Sequence, residues 1–309
     1  MNPVVTCDLC GNRQYKKLFD GRDRLHGNPE RFEVLECRGC GLYTISPRLT
    51  PSELSRFYPE DYGSFLRAVE DEKSWLRRWD RAIGVRRRCR EVIRRAGTTG
   101  SILDVGCATG IFLYGMKQRG WTCHGVEPSP HAVRYARARF GLDVLEGLPE
   151  QADYPADSFD VITLWDVYEH LPEPGPFLDR CWPWLKKEGW ISLTLPNAKA
   201  WERTLFGKYW AGWDIPRHFN VFTPRTITRI LHEHKFRVSE IISFTGRHGI
   251  FALDMRFMMT DWKMPQRAKD ILLAVVRSLP MRILFHPSYV LAERLNKSST
   301  MTVFARKMG

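Results

Sequence analysis

The sequence predicts an α/β protein, with a mostly parallel sheet covered by helices on both faces and a small cysteine-rich module in front of it. Short apolar segments alternate with helical ones over the second two thirds of the chain, and two CxxC pairs stand near the start. The chain has 309 residues, of which 43% are hydrophobic. This composition excludes a disordered chain, and the length is sufficient to bury a large hydrophobic core. We expect no transmembrane helix, because no run of about 18 apolar residues exists. The start MNPVVTCDLCG does not resemble a signal peptide, so we expect a cytoplasmic protein.

The chain is basic, with 47 Lys and Arg against 35 Asp and Glu, a net charge of +12. This excess favours an anionic partner, such as nucleic acid, an acidic membrane or a phosphorylated small molecule, without choosing among them. Nine arginines and one lysine lie between Lys73 and Arg95. This cluster indicates either a solvated helix face or a surface that grips an anionic partner.

Four of the eight cysteines form two pairs, Cys7 with Cys10 and Cys37 with Cys40, each followed by glycine. Two residues between sulfurs allow one tight turn to aim both thiolates at a single ion, and four thiolates favour tetrahedral Zn²⁺. An iron–sulfur or redox site is the alternative. We expect a structural zinc in a module spanning residues 1–46, because ligation by four cysteines leaves no open position for catalysis.

A helical linker is predicted over residues 47–98. The segment Thr50-Pro51-Ser52-Glu53 matches a capping box with proline at the first helical position, and starts a short helix. A long basic helix is predicted over residues 70–96, ending at Gly97.

The alternation of strands and helices begins at residue 99. The predicted strands are SILDV, WTCHGVE, DVLEG, FDVITLW, GWISLTLP and RVSEIISF, and the helices are IFLYGMKQRG, PSPHAVRYARARFG, PGPFLDRCWPWLKKEG and FTPRTITRILHEHKF. Helical crossovers of this length connect parallel strands. The last segment, TMTVFARK, alternates like an edge strand.

A loop of small residues follows the first of these strands. Asp104 precedes Gly106, Ala108 and Gly110, whose small side chains let a ligand approach the backbone where the next helix begins. A carboxylate before the first glycine does not suit a pyrophosphate, and Glu127 can accept both hydroxyls of a ribose. Together these acids favour S-adenosylmethionine, a nucleoside with a cationic amino-acid end, over another nucleotide.

The segments ILDVGCATG, GVEPS, DSFDVITLWDVYEHLPEP and ISLTLPN together resemble the class I S-adenosylmethionine-dependent methyltransferases. Within that class the resemblance is to small-molecule enzymes of the ubiquinone-biosynthesis O-methyltransferase type, and it covers about residues 100–245. Bacterial relatives with a four-cysteine module are tied to sugar, glycan and natural-product pathways. The resemblance implies a Rossmann-like, seven-stranded, mostly parallel sheet, in which TMTVFARK pairs antiparallel beside RVSEIISF. Ala108 departs from the glycine that many members carry.

The resemblance also implies a methyltransferase domain over residues 99–309 and a set of cofactor residues within it. This set is Asp104, Gly106, Ala108 and Gly110 at the methionine portion of S-adenosylmethionine, Glu127 at the ribose, Gly147 and Leu148 at the adenine, and Trp165 beside the cofactor.

Asp166, Glu169 and His170 cluster just beyond the fourth strand, at the sheet edge where open α/β sheets bind ligands. One helical turn would present Asp166 and His170 together. His170 is a candidate base for removing the acceptor's proton. Ubiquinone-pathway relatives bind a divalent metal through a similar acid-x-x-Glu-His arrangement, and a scaffolding role for these residues is the third possibility.

An aromatic segment spans residues 198–222, after the fifth strand. It is either a lid over the acceptor or a satellite core packed on the sheet. The residues in and beside it that we expect to touch substrate, or to act as an alternative base, are Asn197, Trp210, Trp213, Arg217 and His218.

Residues 247–297 are predicted to be a helical insertion rather than a domain. It contains LLAVVRSLPMRILF and many methionines. Such composition fits a core or homodimer contact, and alternatively an apolar acceptor site or a peripheral membrane contact.

The favoured function is methyl transfer to a small acceptor, anionic or neutral: a sugar, glycan, lipid-linked or natural-product precursor. One alternative is RNA methylation, with the zinc ribbon and the basic helix gripping phosphates. The segment LWDVYEH argues against it, because it lacks the Asn/Asp-Pro-Pro-aromatic and Pro-Cys motifs of enzymes that methylate bases. A non-catalytic zinc-ribbon binding protein is the other alternative.

Overall fold

The computed structural model describes residues 6–58, 75–97, 99–244 and 247–309. Residues 70–74, where the basic helix was predicted to begin, lie outside these ranges. The described chain contains a four-stranded antiparallel sheet and a seven-stranded mixed sheet.

Eleven strands are described: β1 (Tyr15–Arg22), β2 (Arg31–Cys37), β3 (Tyr43–Ser46), β4 (Ser101–Val105), β5 (Thr122–Glu127), β6 (Asp143–Glu146), β7 (Phe159–Trp165), β8 (Leu185–Pro196), β9 (Asn220–Val221), β10 (Phe236–Ile242) and β11 (Thr300–Lys307). The described α-helices are α1 (Pro51–Leu54), α2 (Trp75–Ala96), α3 (Ile111–Lys117), α4 (Pro130–Phe140), α5 (Pro174–Trp184), α6 (Trp201–Phe206), α7 (Pro224–Glu233), α8 (Arg247–Asp261), α9 (Gln266–Arg277) and α10 (Leu279–Arg294). Short 3₁₀ turns cover Ser55–Phe57, Pro149–Gln151, Tyr168–His170, Gly207–Tyr209 and Ala211–Trp213.

The large sheet has the order β10-β11-β8-β7-β4-β5-β6. Its five strands from β8 to β6 pair in parallel, and β11 pairs antiparallel with both β8 and β10. This arrangement confirms the predicted seven-stranded, mostly parallel fold. The carboxyl ends of the parallel strands share one edge, which is where open α/β sheets bind ligands.

Capping residues in the sequence mark where the helices beside the sheet begin and end. The Ser129 hydroxyl accepts the Ala132 N–H at the start of α4, and Gly141 ends that helix at positive φ. The predicted capping box before α1 also forms, since Glu53 accepts the backbone N–H of Thr50 at 2.9 Å.

The final strand differs from the expectation of an edge position. β11 is buried along nearly its whole length and lies between β8 and β10, so β10 is the edge strand. Its alternating pattern is misleading because polar Thr302 is fully buried and bonds Thr194 of β8 at 2.8 Å.

The small sheet has the order β1-β2-β3-β9, so the cysteine module is not a separate body. β9 belongs to the aromatic segment and pairs antiparallel with β3, Tyr43 opposite Val221 and Thr44 opposite Asn220. The module is therefore joined by backbone hydrogen bonds to the chain that follows β8.

Three apolar clusters form the core of the described part of the chain. Two contain residues of the large sheet and its covering helices. The third joins three parts of the chain: Phe32 and Ile45 of the small sheet, Trp210 and Trp213 of the aromatic segment, and Phe251 of α8. We call it the joint core. In the ranges given above, no helix is both long and apolar enough to cross a membrane.

Candidate functional site

The small-residue loop after β4 has the backbone that a ligand cradle needs. Gly106 and Gly110 both adopt positive φ, and so does Ala108 between them, at 48°. A Cβ at Gly106 would lie 2.5 Å from Val167 Cγ2, and one at Gly110 would lie 2.5 Å from Leu142 Cδ1. Both glycines are therefore required by conformation and by space.

Two buried carboxylates flank this loop. Asp104 accepts the Thr163 hydroxyl at 2.6 Å, and burial raises its pKa to about 7. Glu127 accepts the backbone N–H groups of Ala108 and Ser129, each at 2.9 Å, and burial raises its pKa as well. Because a carboxylate has about four acceptor positions, Glu127 can hold the loop and still accept two hydroxyls.

The predicted adenine and Trp165 positions lie at the same sheet edge. The Gly147 N–H donates to the Glu127 carbonyl at 3.1 Å, which fixes the turn after β6 beside the turn after β5. Leu148 is exposed. Trp165 is buried under the Arg88 guanidinium, 4.9 Å from its ring centre, and its indole N–H has no partner among the described residues.

The predicted α-helical turn from Asp166 to His170 does not form. Asp166 has φ of 60°, and the following residues form a 3₁₀ turn rather than an α-helical turn. The Asp166 carboxylate accepts Arg88 at 3.1 Å, whereas the His170 ring contacts His218, with 4.6 Å between ring centres. The turn expected to present Asp166 and His170 together therefore has a different geometry, and the ring that packs against His170 is His218.

Glu169, His170 and His218 form a trio, in which Glu169 and His218 are buried and His170 is half-buried. One ligand atom from each lies within 4.8 Å of the others. His218 Nε2 is 3.8 Å from Glu169 Oε1 and also 3.8 Å from Asp214 Oδ2. The second Glu169 oxygen has no hydrogen-bond partner in the described part of the chain, and burial raises the pKa of this carboxyl well above its usual range.

Backbone carbonyls assign the tautomers of both histidines. His170 Nδ1 is 3.0 Å from the Arg217 carbonyl, and His218 Nδ1 is 3.0 Å from the Gly212 carbonyl. A carbonyl only accepts, so each Nδ1 carries the proton and each Nε2 keeps its lone pair. Burial lowers the pKa of His170 to about 3 and also lowers that of His218, so both rings are neutral near pH 7.

Arg217 does not face a substrate. It is fully buried, and all five of its N–H donors are used by Asp23, Asp214 and the Phe57 carbonyl. The sequence-based assignment of Arg217 to an anionic substrate is a misassignment, because no donor is left. Arg217 instead holds the backbone carbonyl that orients His170.

Three other substrate candidates also lie in the interior. Asn197 is fully buried and uses its amide locally, donating to the Asn296 carbonyl and accepting the Lys199 N–H, each at 2.9 Å. Trp210 and Trp213 are buried in the joint core, with 5.3 Å between ring centres. Of the two expectations for the aromatic segment, the satellite core fits and the open lid does not.

The four N-terminal cysteines converge. Cys7 Sγ lies 3.6 Å from Cys40 Sγ, and Cys10 Sγ lies 3.5 Å from Cys37 Sγ. All four sulfurs are within 4.8 Å of one another. A tetrahedral zinc with Zn–S bonds of about 2.3 Å places its sulfurs about 3.8 Å apart, so the arrangement fits this ion. Disulfide bonds need about 2.05 Å.

The comparison with known families settles what the sheet and its loop belong to. The family described as a methyltransferase domain matches residues 80–241, which is about half of the chain and includes the loop, both flanking carboxylates and the trio. The chain belongs to this family. It is an S-adenosylmethionine-dependent methyltransferase.

Curated relatives of this methyltransferase include two ubiquinone biosynthesis O-methyltransferases. The protein from Thiobacillus denitrificans is 30% identical over 171 residues, which cover 51% of this chain and 74% of the relative. That from Bradyrhizobium diazoefficiens is 28% identical over 151 residues, covering 45% and 59%. The methyltransferase thus spans between three fifths and three quarters of the length of these relatives.

Solved structures show the same fold at low identity. A protein from Bacillus halodurans C-125 with a proposed methyltransferase assignment superposes with a TM-score of 0.50 at 16% identity, covering 72% of this chain and 99% of that one. A protein from Galdieria sulphuraria with a proposed sarcosine dimethylglycine methyltransferase assignment also scores 0.50, at 13% identity, covering 75% and 88%.

Sequence reasoning missed three residues that shape the methyltransferase site. The Tyr58 hydroxyl lies 3.1 Å from His170 Nδ1, Asp23 pairs with Arg217, and Arg88 binds Asp166. Asp23 and Tyr58 are more than 100 residues away from the groups they contact, and no local pattern marks them. Arg88 was noted only as part of the basic cluster.

Proposed function

We propose that this methyltransferase moves the methyl group of S-adenosylmethionine to a hydroxyl oxygen of a small-molecule acceptor, with His218 as the base. The observation that carries the proposal is the setting of His218 Nε2, which has a lone pair and stands 3.8 Å from the carboxylates of Glu169 and Asp214. Burial alone would raise the pKa of Asp214, but the hydrogen bond and charge of Arg217 outweigh it and lower this pKa, so the carboxylate is ionised and stabilises the imidazolium that forms when His218 takes a proton.

The residues around the glycine loop fit the cofactor. The positive φ of Gly106 and Gly110 gives the tight turn that glycine-rich ligand loops use before a helix, and Glu127 has acceptor capacity left for the ribose hydroxyls. Asp104 is a buried carboxylate whose only close hydrogen-bond donor among the described residues is Thr163, which suits a cationic amino group. When bound, S-adenosylmethionine supplies an electrophilic methyl group on a sulfonium.

The protein's task is then alignment and proton removal. In the transfer, an acceptor oxygen lone pair forms the new O–C bond as the C–S bond breaks, and the sulfonium charge is neutralised. The hydroxyl proton passes to His218 Nε2, while Nδ1–H stays bonded to the Gly212 carbonyl. Asp214 then faces a cation.

His170 acts as a positioning residue in this proposal. Its Nδ1 side is occupied by the Arg217 carbonyl and the Tyr58 hydroxyl, and its ring packs edge-on against His218. The contact fixes the orientation of the His218 ring. We therefore assign to His170 an effect on turnover that is smaller than that of His218.

The trio also suits a divalent cation, since two neutral imidazoles and a carboxylate are ligands that such ions accept. The carbonyls bonded to each Nδ1–H match the outer-shell support of metal-ligating histidines. In that case Glu169, His170 and His218 would hold the ion, and it would lower the pKa of an acceptor hydroxyl. His218 Nε2 cannot both bind a metal ion and accept the acceptor's proton. Removal of divalent metal with a chelator therefore distinguishes these two roles.

We propose that Cys7, Cys10, Cys37 and Cys40 hold a structural zinc. The sulfur spacing supports this assignment. The position of the module indicates that the ion stabilises a part of the chain next to the proposed base. Phe219, next to His218, donates its N–H to the Glu169 carbonyl at 2.9 Å, and its own carbonyl accepts the Thr44 hydroxyl of β3 at 3.0 Å. A folded ribbon therefore supports the segment that carries the proposed base.

Two observations support the proposed acceptor class: the names of the curated relatives and the contacts of the basic helix α2. The curated relatives carry the name of O-methyltransferases, which favours oxygen as the methylated atom. RNA is disfavoured, because two arginines of α2 already bind within the protein: Arg88 to Asp166 and Arg95 to Glu91. Family membership favours an enzyme over the non-catalytic alternative.

The test is a methyl-transfer screen with labelled S-adenosylmethionine against catechols, hydroxybenzoates, nucleotide sugars and, as a separate arm, total RNA. The protein is assayed after dialysis against EDTA and after addition of Mg²⁺. Label in an O-methylated small molecule supports the proposal, and label only in RNA overturns it. The comparison is made on protein that keeps one zinc per chain. Full activity after EDTA then supports His218 as the base, whereas activity restored only by Mg²⁺ supports the metal instead.

A further inference from the structure

Helices α9 and α10 are apolar on two sides. Their inner side chains are buried, among them Leu273, Val276 and Tyr289. Their outer side chains are large, apolar and between 51% and 67% exposed; these are Ile271, Val275, Leu279, Ile283, Leu284, Leu291 and Leu295. We call this set the outer face. A surface helix normally turns polar residues to water, so a patch of this kind marks a site of contact with a partner.

The outer face lies within a basic segment. Between Trp262 and Leu295 the chain has six Lys and Arg against two Asp and Glu. Lys263, Arg267 and Arg294 are exposed there. The combination of exposed apolar side chains with surrounding cations is typical of helices that rest on anionic bilayers.

We propose that the outer face docks onto the surface of a bilayer rich in anionic phospholipid, with α9 and α10 lying in the plane of the interface. At 12 and 16 residues these helices are about 18 Å and 24 Å long, shorter than the hydrocarbon core of about 30 Å. Trp262, at the end of α8, is 62% exposed, and indole rings favour the interface between headgroups and acyl chains.

A second copy of this chain is a poorer occupant. A two-fold dimer brings the same patch of both subunits together, so each basic segment would face its own copy. Like charges would then oppose the apolar contact, whereas anionic headgroups neutralise them. Charge complementarity therefore selects the lipid surface.

The joint core connects the outer face to the segment that carries His218. Phe251 of α8 lies 5.2 Å from Phe206, between ring centres, and both belong to the joint core with Trp210. The outer face is thus one helical layer away from the segment that carries His218. A membrane-bound enzyme would meet acceptors that are dissolved in the lipid.

The experiment is co-sedimentation of the full chain with vesicles of phosphatidylcholine alone and of phosphatidylcholine with 30% phosphatidylglycerol. The double variant Ile283→Asn, Leu284→Asn removes two exposed apolar residues, and Leu145→Asn is the matched control. Leu145 is 41% exposed and lies on β6, at the opposite edge of the sheet from β10. Melting temperature and sedimentation velocity confirm that each variant folds and report its oligomeric state.

We expect the wild type and Leu145→Asn to bind the anionic vesicles at least ten-fold more tightly than the neutral ones, and 0.5 M NaCl to weaken this binding several-fold. The double variant should lose at least ten-fold in affinity while its melting temperature is unchanged. Binding that does not depend on lipid charge, or equal binding by the double variant, would overturn the proposal. So would a dimer that the double variant dissociates in the absence of lipid.

Discussion

Asp23 and Arg217 form a bidentate ion pair with both side chains fully buried, at N–O distances of 3.0 and 3.1 Å. The two residues are 194 positions apart: Asp23 follows β1 of the cysteine ribbon, and Arg217 precedes His218. The Arg217 carbonyl in turn bonds His170. One ion pair therefore connects the ribbon to the residue whose carbonyl orients His170 and which precedes His218 in the chain.

Replacing Asp23 with Asn should be strongly destabilising, because it leaves the Arg217 charge buried with one carboxylate instead of two. Breaking a buried pair costs about 3–5 kcal/mol. Urea unfolding measures the loss. Asp20→Asn on the same strand is the control, since Asp20 is exposed and pairs only with Lys17 in the described chain, and it should change the unfolding free energy by less than about 1 kcal/mol. Equal stability of the two variants would contradict the role given to Asp23.

Glu127→Gln should weaken the binding of S-adenosylmethionine by tens of fold. The amide keeps one acceptor oxygen, so it cannot both hold the N–H groups of Ala108 and Ser129 and accept two ribose hydroxyls. Each hydrogen bond to a charged group contributes about 1.5–3 kcal/mol. Calorimetric titration measures the affinity, and Glu146→Gln, exposed on the neighbouring strand β6, is the control. An unchanged dissociation constant for Glu127→Gln would remove the ribose assignment.

Cys37→Ser should lose the bound zinc and, with it, methyl transfer. We expect the affinity for S-adenosylmethionine to fall by no more than a few-fold, because the cofactor loop belongs to the large sheet and the ribbon supports the His218 segment. Mass spectrometry of metal content and calorimetry separate the two effects. Cys123→Ala, a thiol outside the cluster, should keep one zinc per chain. Full zinc content in Cys37→Ser would rule out the four-cysteine site.

Asp261 should stabilise the chain only above acidic pH. Burial alone would raise the pKa of its carboxyl, but hydrogen bonds and charge from Arg22 and Arg24 outweigh it and lower the pKa. A lowered pKa in the folded state gives stability that is present above the unfolded value of about 3.9 and is lost as the pH falls toward the folded value.

Asp261→Asn should therefore be less stable than the wild type by about 0.5–1 kcal/mol at pH 7, with the difference shrinking below about pH 4. Thermal unfolding at a series of pH values measures it. Asp153→Asn, an exposed aspartate, should show no such dependence. A difference that grows toward low pH would have the wrong sign for this pair.

Features that depend on interactions between neighbours in the sequence could be predicted, and features that depend on contacts between distant segments could not. The parallel sheet, the glycine loop and the four-cysteine cluster follow from local patterns: strand and helix periodicity, small residues at a strand end, and paired cysteines. The surroundings of Glu169, His170 and His218 do not follow from local patterns. They depend on a two-strand pairing between Tyr43 and Val221 and on a buried ion pair, and both form only when distant segments meet.

The aromatic segment shows why the substrate candidates failed. Trp210 and Arg217 have the residue types of a binding site, but Trp210 packs inside the joint core and Arg217 spends its donors on Asp23, Asp214 and the Phe57 carbonyl. Residue type predicts what a side chain can bind, and the fold decides whether water or protein faces it. His218 was named as an alternative base, and that role stays a prediction; the position of its ring beside Glu169 and Asp214 was not anticipated.

Turnover of His218→Gln tests the central claim most directly. With an acceptor from the labelled-methyl screen, we predict that kcat falls by about 10²–10⁴ relative to the wild type. The affinity for S-adenosylmethionine should stay within a few-fold, because His218 lies outside the cofactor loop. His170→Gln, run in parallel, should lose less. A His218→Gln enzyme that turns over within a few-fold of the wild type would contradict the assignment of His218 as the base.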